Sequence, residues 1–167
     1  MKELLLLRHA KSSWKDQNIE DFYRPLKERG KNDASIMGEY IKQTDLIPQY
    51  ILCSSAIRTK ETLDIILNKI NFDNKIKIDY TNELYEADVF DILKVISQIE
   101  NKFNKVMIIG HNPGMEETVL ELTQKPFPFP KFSTCGLALI ELNIDYWKDI
   151  KKVKGILKLF KSPKMFN

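Results

Sequence analysis

Three short stretches of this chain are apolar at every position: Leu4 to Leu7, Tyr50 to Cys53 and Val106 to Ile109. A strand with one face in water alternates polar and apolar residues, so uninterrupted runs of this length mark strands covered on both faces. Between them the apolar spacing turns helical. Pro25 opens one such stretch, with Leu26, Ala34, Met37, Tyr40 and Ile41 roughly on one face, and Pro48 closes it. Ala56 to Leu67 is the next, with Ser54 or Ser55 as its N-cap. Val89 to Ile99 repeats Phe90, Leu93, Ile96 and Ile99 at helix spacing, and Met115 to Leu122 suits a helix after Gly110. Lys77 to Tyr80 reads as a short edge strand, and Gly136 to Leu142 and Val153 to Phe160 as two more. The prolines between Lys125 and Pro130 exclude regular structure there. Strands alternating with helices predict an α/β fold: a mostly parallel central sheet with helices on both faces, built as one domain over residues 1–167.

Composition narrows the classes without naming a function. With 43% hydrophobic residues and only 6 Gly and 7 Pro in 167, the chain is neither disordered nor collagen-like. At this length a core forms without disulfide or metal staples. No apolar run approaches the roughly 20 residues of a membrane span, and four leucines before Arg8 are too few for a signal peptide. Cys53 and Cys135 are then two reduced thiols, which fits a cytoplasmic protein. A net charge of +3 from 26 bases and 23 acids does not announce a nucleic-acid or membrane partner. Seven lysines fall near the C-terminus (Lys148, Lys151, Lys152, Lys154, Lys158, Lys161 and Lys164). Interleaved with Val153, Ile156, Leu157 and Phe160, they read as the wet side of a terminal strand.

In an open α/β sheet, ligands bind beyond the carboxyl ends of the strands. Arg8 and His9 follow the first apolar run, Ser54, Ser55 and Arg58 follow the second, and Gly110, His111 and Asn112 follow the third. Both histidines of the chain are therefore at strand ends. Guanidinium groups hold phosphate oxygens in a bidentate, permanently charged way, and the N-terminus of the helix near Ala56 adds N–H donors. A neutral imidazole can attack phosphorus, and a second, protonated imidazole can stabilise the charge that develops. Arg8, Arg58 and His111 around His9 would make a phosphoryl-transfer pocket that needs no metal or other cofactor.

Leu4-Leu5-Leu6-Leu7-Arg8-His9-Ala10 resembles the opening strand and R-H-G motif of the histidine phosphatase superfamily, in particular its SixA-like phosphohistidine phosphatase branch. The resemblance continues through Asp21-Phe22-Tyr23-Arg24-Pro25-Leu26-Lys27-Glu28-Arg29-Gly30, similar to D-x-x-R-P-L-x-x-R-G. Cys53-Ser54-Ser55-Ala56-Ile57-Arg58-Thr59-Lys60-Glu61-Thr62 and Gly110-His111-Asn112-Pro113-Gly114 resemble two further blocks, in the same order. It implies a phosphoglycerate mutase-like three-layer sandwich. It also implies that His9 is the nucleophile that becomes phosphorylated, that Arg8 and Arg58 hold the phosphoryl oxygens, and that His111 donates a hydrogen bond to the same group. The implied substrate is phosphohistidine on a signalling protein, such as a histidine phosphotransfer domain, with a small phosphate ester as the alternative. At this length there is little material for insertions that would cap the site. Ala10 replaces the usual Gly, and Lys11 and Lys15 stand where the family often has an acid and an Asn. The general acid falls on Glu86, from Leu84-Tyr85-Glu86, with Glu83 and Asp21 as alternatives.

Other readings compete. Arg8 and His9 could be a basic pair in solvent, His111 a loop histidine held by Asn112, and Arg58 a surface residue paired with Glu61. Salt bridges would explain Arg24 and Arg29 as well as substrate contacts do, and Trp14, Phe127 and Phe129 either line the mouth of the site or pack elsewhere. A cysteine-based phosphatase would need five residues between Cys53 and Arg58, where four are present. Two isolated histidines give no zinc signature. A degenerate relative that binds phosphate without turnover keeps the same residues. With His9 as nucleophile, activity should fall in acid from the ordinary histidine value of about 6.5.

Overall fold

The computed structural model describes residues 1–71, 75–123 and 131–166. Its order is β1 (Lys2–Arg8), α1 (Glu28–Gln43), β2 (Tyr50–Ser54), α2 (Ile57–Lys69), β3 (Lys77–Thr81), α3 (Val89–Ser97), β4 (Lys105–Gly110), α4 (Gly114–Thr123), β5 (Leu137–Leu142) and β6 (Ile156–Lys161). The six strands form one sheet in the order β3-β2-β4-β1-β5-β6. β3, β2, β4 and β1 run parallel, while β5 and β6 are antiparallel to their neighbours at the far edge. No helix among the described residues is long and apolar enough to cross a membrane.

The continuous apolar runs are continuous because both faces are covered. Leu5 and Leu7 of β1, Met107 and Ile109 of β4, and Ile51 and Cys53 of β2 share one core with Ala34, Met37 and Ile41 of α1 and Leu63 and Ile66 of α2. Leu4, Leu6, Val106, Ile108 and Leu52 pack on the opposite face with Ile92, Leu93 and Ile96 of α3, Val119 and Leu122 of α4, and the buried Trp147 and Phe132. Adjacent residues of each strand thus belong to different cores, as the two-residue period of a strand requires. Truncating any one of the central leucines to alanine would cost on the order of 2–5 kcal/mol.

Several expectations shift. α1 begins at Glu28 rather than at Pro25, because Leu26 is drawn into a bridge with Ser12 and its N–H is taken by Glu61 Oε1 at 2.8 Å. α3 starts in a capping box between Asp88 and Asp91, which turns Ile92, Leu93, Val95 and Ile96 inward and leaves Phe90 71% exposed. Ala56, not a serine, is the N-cap of α2, and no side chain caps it. Val153 ends a 3-10 helix, Trp147–Lys152, instead of opening the last strand, so only Lys158 and Lys161 of the seven lysines lie on β6. The proline-rich loop with Phe127 and Phe129 lies outside the described residues.

Parallel register brings the functional ends together. Arg8 pairs with Gly110 across β1 and β4, and Cys53 pairs with Ile109 across β2 and β4. His9, Ser54 and His111 therefore leave the sheet at one edge. Near it, a close approach fixes the loop after β1. Lys27 N–H donates to the Lys11 carbonyl at 3.1 Å, and a Cβ on Gly30 would lie 2.1 Å from that same oxygen. Only a residue without a side chain lets α1 dock so close to the loop.

Candidate active site

His9 is the first residue after β1, and its backbone N–H donates to the Gly110 carbonyl at 3.1 Å. The ring is 7% exposed. Its Nδ1 lies 2.7 Å from the carbonyl oxygen of Ala10. A carbonyl can only accept, so Nδ1 carries the proton and Nε2 keeps its lone pair. Ala10 is itself held by the Thr62 hydroxyl, which accepts its N–H at 3.0 Å. The imidazole is thereby fixed in the tautomer that leaves Nε2 nucleophilic. Arg58 Nε points at this Nε2 across a long 3.4 Å contact.

Arg58, in the first turn of α2, is placed from the other side by Asp21. Its Nη1 donates to the Asp21 carbonyl at 2.8 Å and its Nη2 to the Asp21 carboxylate at 3.1 Å. The same carboxylate takes a hydrogen bond from Arg24 Nε at 3.0 Å and another from the Tyr85 hydroxyl. Burial works against the charge on Asp21, but the hydrogen bonds from Tyr85 and Arg24 and the field of Arg58 outweigh it and hold the carboxyl at about 2. Arg24 also reaches the Ser12 hydroxyl at 2.7 Å, and the Trp14 ring lies 3.4 Å from its guanidinium carbon.

His111 follows β4, with its ring centroid 5.2 Å from that of His9 and 5.5 Å from that of Tyr85. Its Nε2 lies 2.8 Å from Ser54 Oγ, while its buried Nδ1 has no partner among the described residues. Ser54 Oγ also accepts a long bond from Ala56 N–H at 3.4 Å and keeps both a lone pair and its proton for Nε2, so the neutral ring can carry its proton on either nitrogen. Arg8 stands off from the other three. Its Nη1 donates to the Phe132 carbonyl at 3.0 Å, where Asn112 Nδ2 also donates at 2.9 Å, and Glu116 Oε1 accepts the Phe132 N–H at 2.7 Å. The buried Nε of Arg8 has no partner among the described residues.

His9, Arg58 and His111 thus converge by contact, while Arg8, the residue before His9, is held at the Phe132 carbonyl. Asp21 is an ionised anchor for two arginines, which makes it a poor proton donor. Glu86 is exposed, at φ 56°, with no ionic partner among the described residues, and Glu83 is exposed in a 3-10 turn. His111 is held by Ser54 rather than Asn112, and Arg58 pairs with Asp21 while Glu61 serves Leu26. Arg24 is explained by its salt bridge, and Trp14 is 67% exposed against it. Both cysteines are free and buried, and burial raises the Cys53 thiol, so no thiolate is available there. The sequence places Ser54 after the second apolar run and Tyr85 within the Leu84-Tyr85-Glu86 segment without giving either a role; the structure sets them against His111 and Asp21.

The electrostatics correct the expected acid limb. Burial and, after it, the neighbouring His111, Arg58 and Arg8 charges push His9 down to about 3, despite the opposing Ala10 hydrogen bond. Burial and Arg58 push His111 down to about 4, against the pull of Asp21. Both rings are neutral in the folded protein well below the ordinary value, so His9 keeps its lone pair into moderate acid. The unfolded chain takes up protons first as pH falls below 6.5, so stability declines from there and levels only below the folded values. Each histidine should remove on the order of 1–2 kcal/mol between pH 6.5 and 5. Denaturant midpoints of the native protein and of His9→Gln across that window check this: the variant should show the shallower slope, and equal slopes would contradict the burial of a neutral ring.

The family model of the histidine phosphatase superfamily (branch 1) matches residues 4–109, more than half of the chain. An uncharacterized chloroplastic protein of Arabidopsis thaliana is 29% identical over 161 residues, covering 92% of this chain and 72% of its own. A solved structure from Agrobacterium tumefaciens, assigned as the phosphohistidine phosphatase SixA, superposes with a TM-score of 0.83 at 29% identity, over 97% of this chain and 98% of that one. The protein histidine phosphatase SixA complexed with tungstate shares the fold at a TM-score of 0.82 and 22% identity, covering 99% of both chains. With its six-stranded, mostly parallel sheet and both histidines at one edge, this chain belongs to the histidine phosphatase superfamily, in its SixA-like branch.

Proposed function

We propose that the protein is a phosphohistidine phosphatase that works through a phosphoenzyme on His9, with no metal in the reaction. The observation that carries this reading is the fixed tautomer of His9: Nδ1–H is tied to the Ala10 carbonyl, and the lone pair of Nε2 faces the Arg58 guanidinium. A phosphoryl group entering there meets permanent positive charge and the unpartnered Nδ1 of His111, which donates to it in the tautomer protonated there. Nε2 forms the bond to phosphorus as the bond to the leaving atom breaks, and the leaving group takes a proton. Water then attacks phosphorus, the P–Nε2 bond breaks, orthophosphate departs and His9 regains its lone pair. Arg8, Arg58 and His111 stabilise the charge on the equatorial oxygens in both steps.

The likeness to a SixA protein supports phosphohistidine as the substrate; the carrier we propose for it is a protein, such as a histidine phosphotransfer domain. Imidazole is a good leaving group, so this substrate asks little of a general acid. Trapping the phosphoenzyme by rapid acid-free quench and mapping it by mass spectrometry tests the reading. Label on His9, absent from His9→Ala, is the expected result; label on Cys53 would overturn it.

For poorer leaving groups we propose Glu86 as the proton donor, on the resemblance of Leu84-Tyr85-Glu86 to the family's L-x-E segment. Glu86→Gln should slow hydrolysis of glycerol phosphate by at least about tenfold while changing 4-nitrophenyl phosphate turnover by less than about threefold. Equal effects on the two esters would remove Glu86 from the mechanism.

A further inference from the structure

Beside the His9 site lies a hollow of about 300 Å³ lined by Arg8, Lys11, Arg29, Asp33, Lys131, Ser133, Thr134, Pro163 and Lys164. That volume is at the small end of the range for ligand pockets. Five of its side chains are basic and one is acidic. The chain as a whole carries only +3, so the surplus is local.

Four separate segments are folded into this wall. Lys11 is pressed against Gly30 and bonded to Lys27, which puts it beside Arg29 at the start of α1. Asp33 is about one turn further along the same helix. The Phe132 carbonyl that anchors Arg8 sets Lys131, Ser133 and Thr134 around the same guanidinium. Lys164 comes from the 3-10 turn Pro163–Phe166, which is docked on α1 where the Phe166 ring meets Tyr40 at 5.1 Å. Lys11, Arg29, Lys131 and Lys164 have no ion pair or side-chain hydrogen bond among the described residues. Asp33 offsets one of the five basic groups: burial raises its carboxyl and Arg29 and Lys164 pull it back down, and a surplus of positive charge remains in the hollow. Like charges this close repel, and a concave wall of one sign concentrates its field on whatever enters.

We infer that this hollow is a second anion subsite, joined to the phosphoryl pocket through Arg8, which takes a phosphate or carboxylate group that the substrate carries apart from the transferred phosphoryl. Arg8 is the shared wall: its Nη1 is spent on Phe132, and its buried Nε has no partner among the described residues. The meaning of the subsite for catalysis rests on the reading of His9 as nucleophile; its existence does not. A single orthophosphate can fill one pocket only, whereas a longer or multiply charged anion spans both and gains from the linkage. The two sources of such a group are a second phosphate on a small molecule and an acidic segment of a phosphorylated protein.

The test reads binding, not turnover. Backbone amides of Ser133 and Thr134 are followed by nuclear magnetic resonance while orthophosphate, inorganic tripolyphosphate or a tetraglutamate peptide is added to the native protein. Tripolyphosphate or tetraglutamate should shift both amides and bind at least about tenfold more tightly than orthophosphate. In Lys131→Ala/Lys164→Ala that advantage should fall below about threefold, with the fold intact by circular dichroism. Stronger binding of tripolyphosphate names a second phosphate as the source, and stronger binding of tetraglutamate names an acidic segment. Amides that do not move with either probe, or an undiminished advantage in the double variant, would overturn the subsite. Shifted amides in a protein that forms no phosphoenzyme would keep the subsite and discard the catalytic reading.

Discussion

The pairing of β1 with β4 is the constraint on which the site depends. Arg8 opposite Gly110 makes His9 and His111 the next residues on two parallel strands, and the rings end with centroids 5.2 Å apart. A slip of one residue would exchange the faces of β1 and send Leu5 and Leu7 into the wrong core. Hydrophobic burial on both faces therefore enforces the register, and the bond from His9 N–H to the Gly110 carbonyl carries it into the site. β2 joins in the same way, so Ser54 reaches His111 from a third strand end.

Positive charge is the second constraint. Arg58 and Arg24 converge on one carboxylate, Asp21, whose side chain remains 46% exposed. Both guanidinium groups are buried, so Asp21 keeps two buried charges paired and at the same time places Arg58 against His9. Arg8 has no such partner among the described residues: burial and Arg58 weaken its hold on its proton, and Glu116 restores part of it. The result is a site with both imidazoles neutral and guanidinium charge to spare. It is suited to receive an anion and to use a lone pair on it.

The sheet and its functional edge were legible in the sequence because burial on both faces writes itself as unbroken apolar runs. Leu4 to Leu7, Tyr50 to Cys53 and Val106 to Ile109 announced three central strands, and the polar residues after them announced the site. What could not be read depended on contacts between segments far apart. Leu26 leaves the helical pattern because Glu61, 35 residues on, takes its N–H. Phe90 satisfies the helical spacing yet points outward, because the capping box at Asp88 sets the phase of α3. The same limit applies within the site. Glu61 was a local partner for Arg58 by spacing, but Asp21, 37 residues away, is the actual one. Burial shifts the histidines too, and no motif carries that information.

The account stands or falls on a single anion sharing His9, Arg58, Arg8 and His111. A crystal structure with bound vanadate tests this most directly. Vanadium is expected in line with His9 Nε2, with its equatorial oxygens on Arg58, Arg8 and Nδ1 of His111. Vanadate bonded to Cys53, or bound away from both histidines, would contradict it.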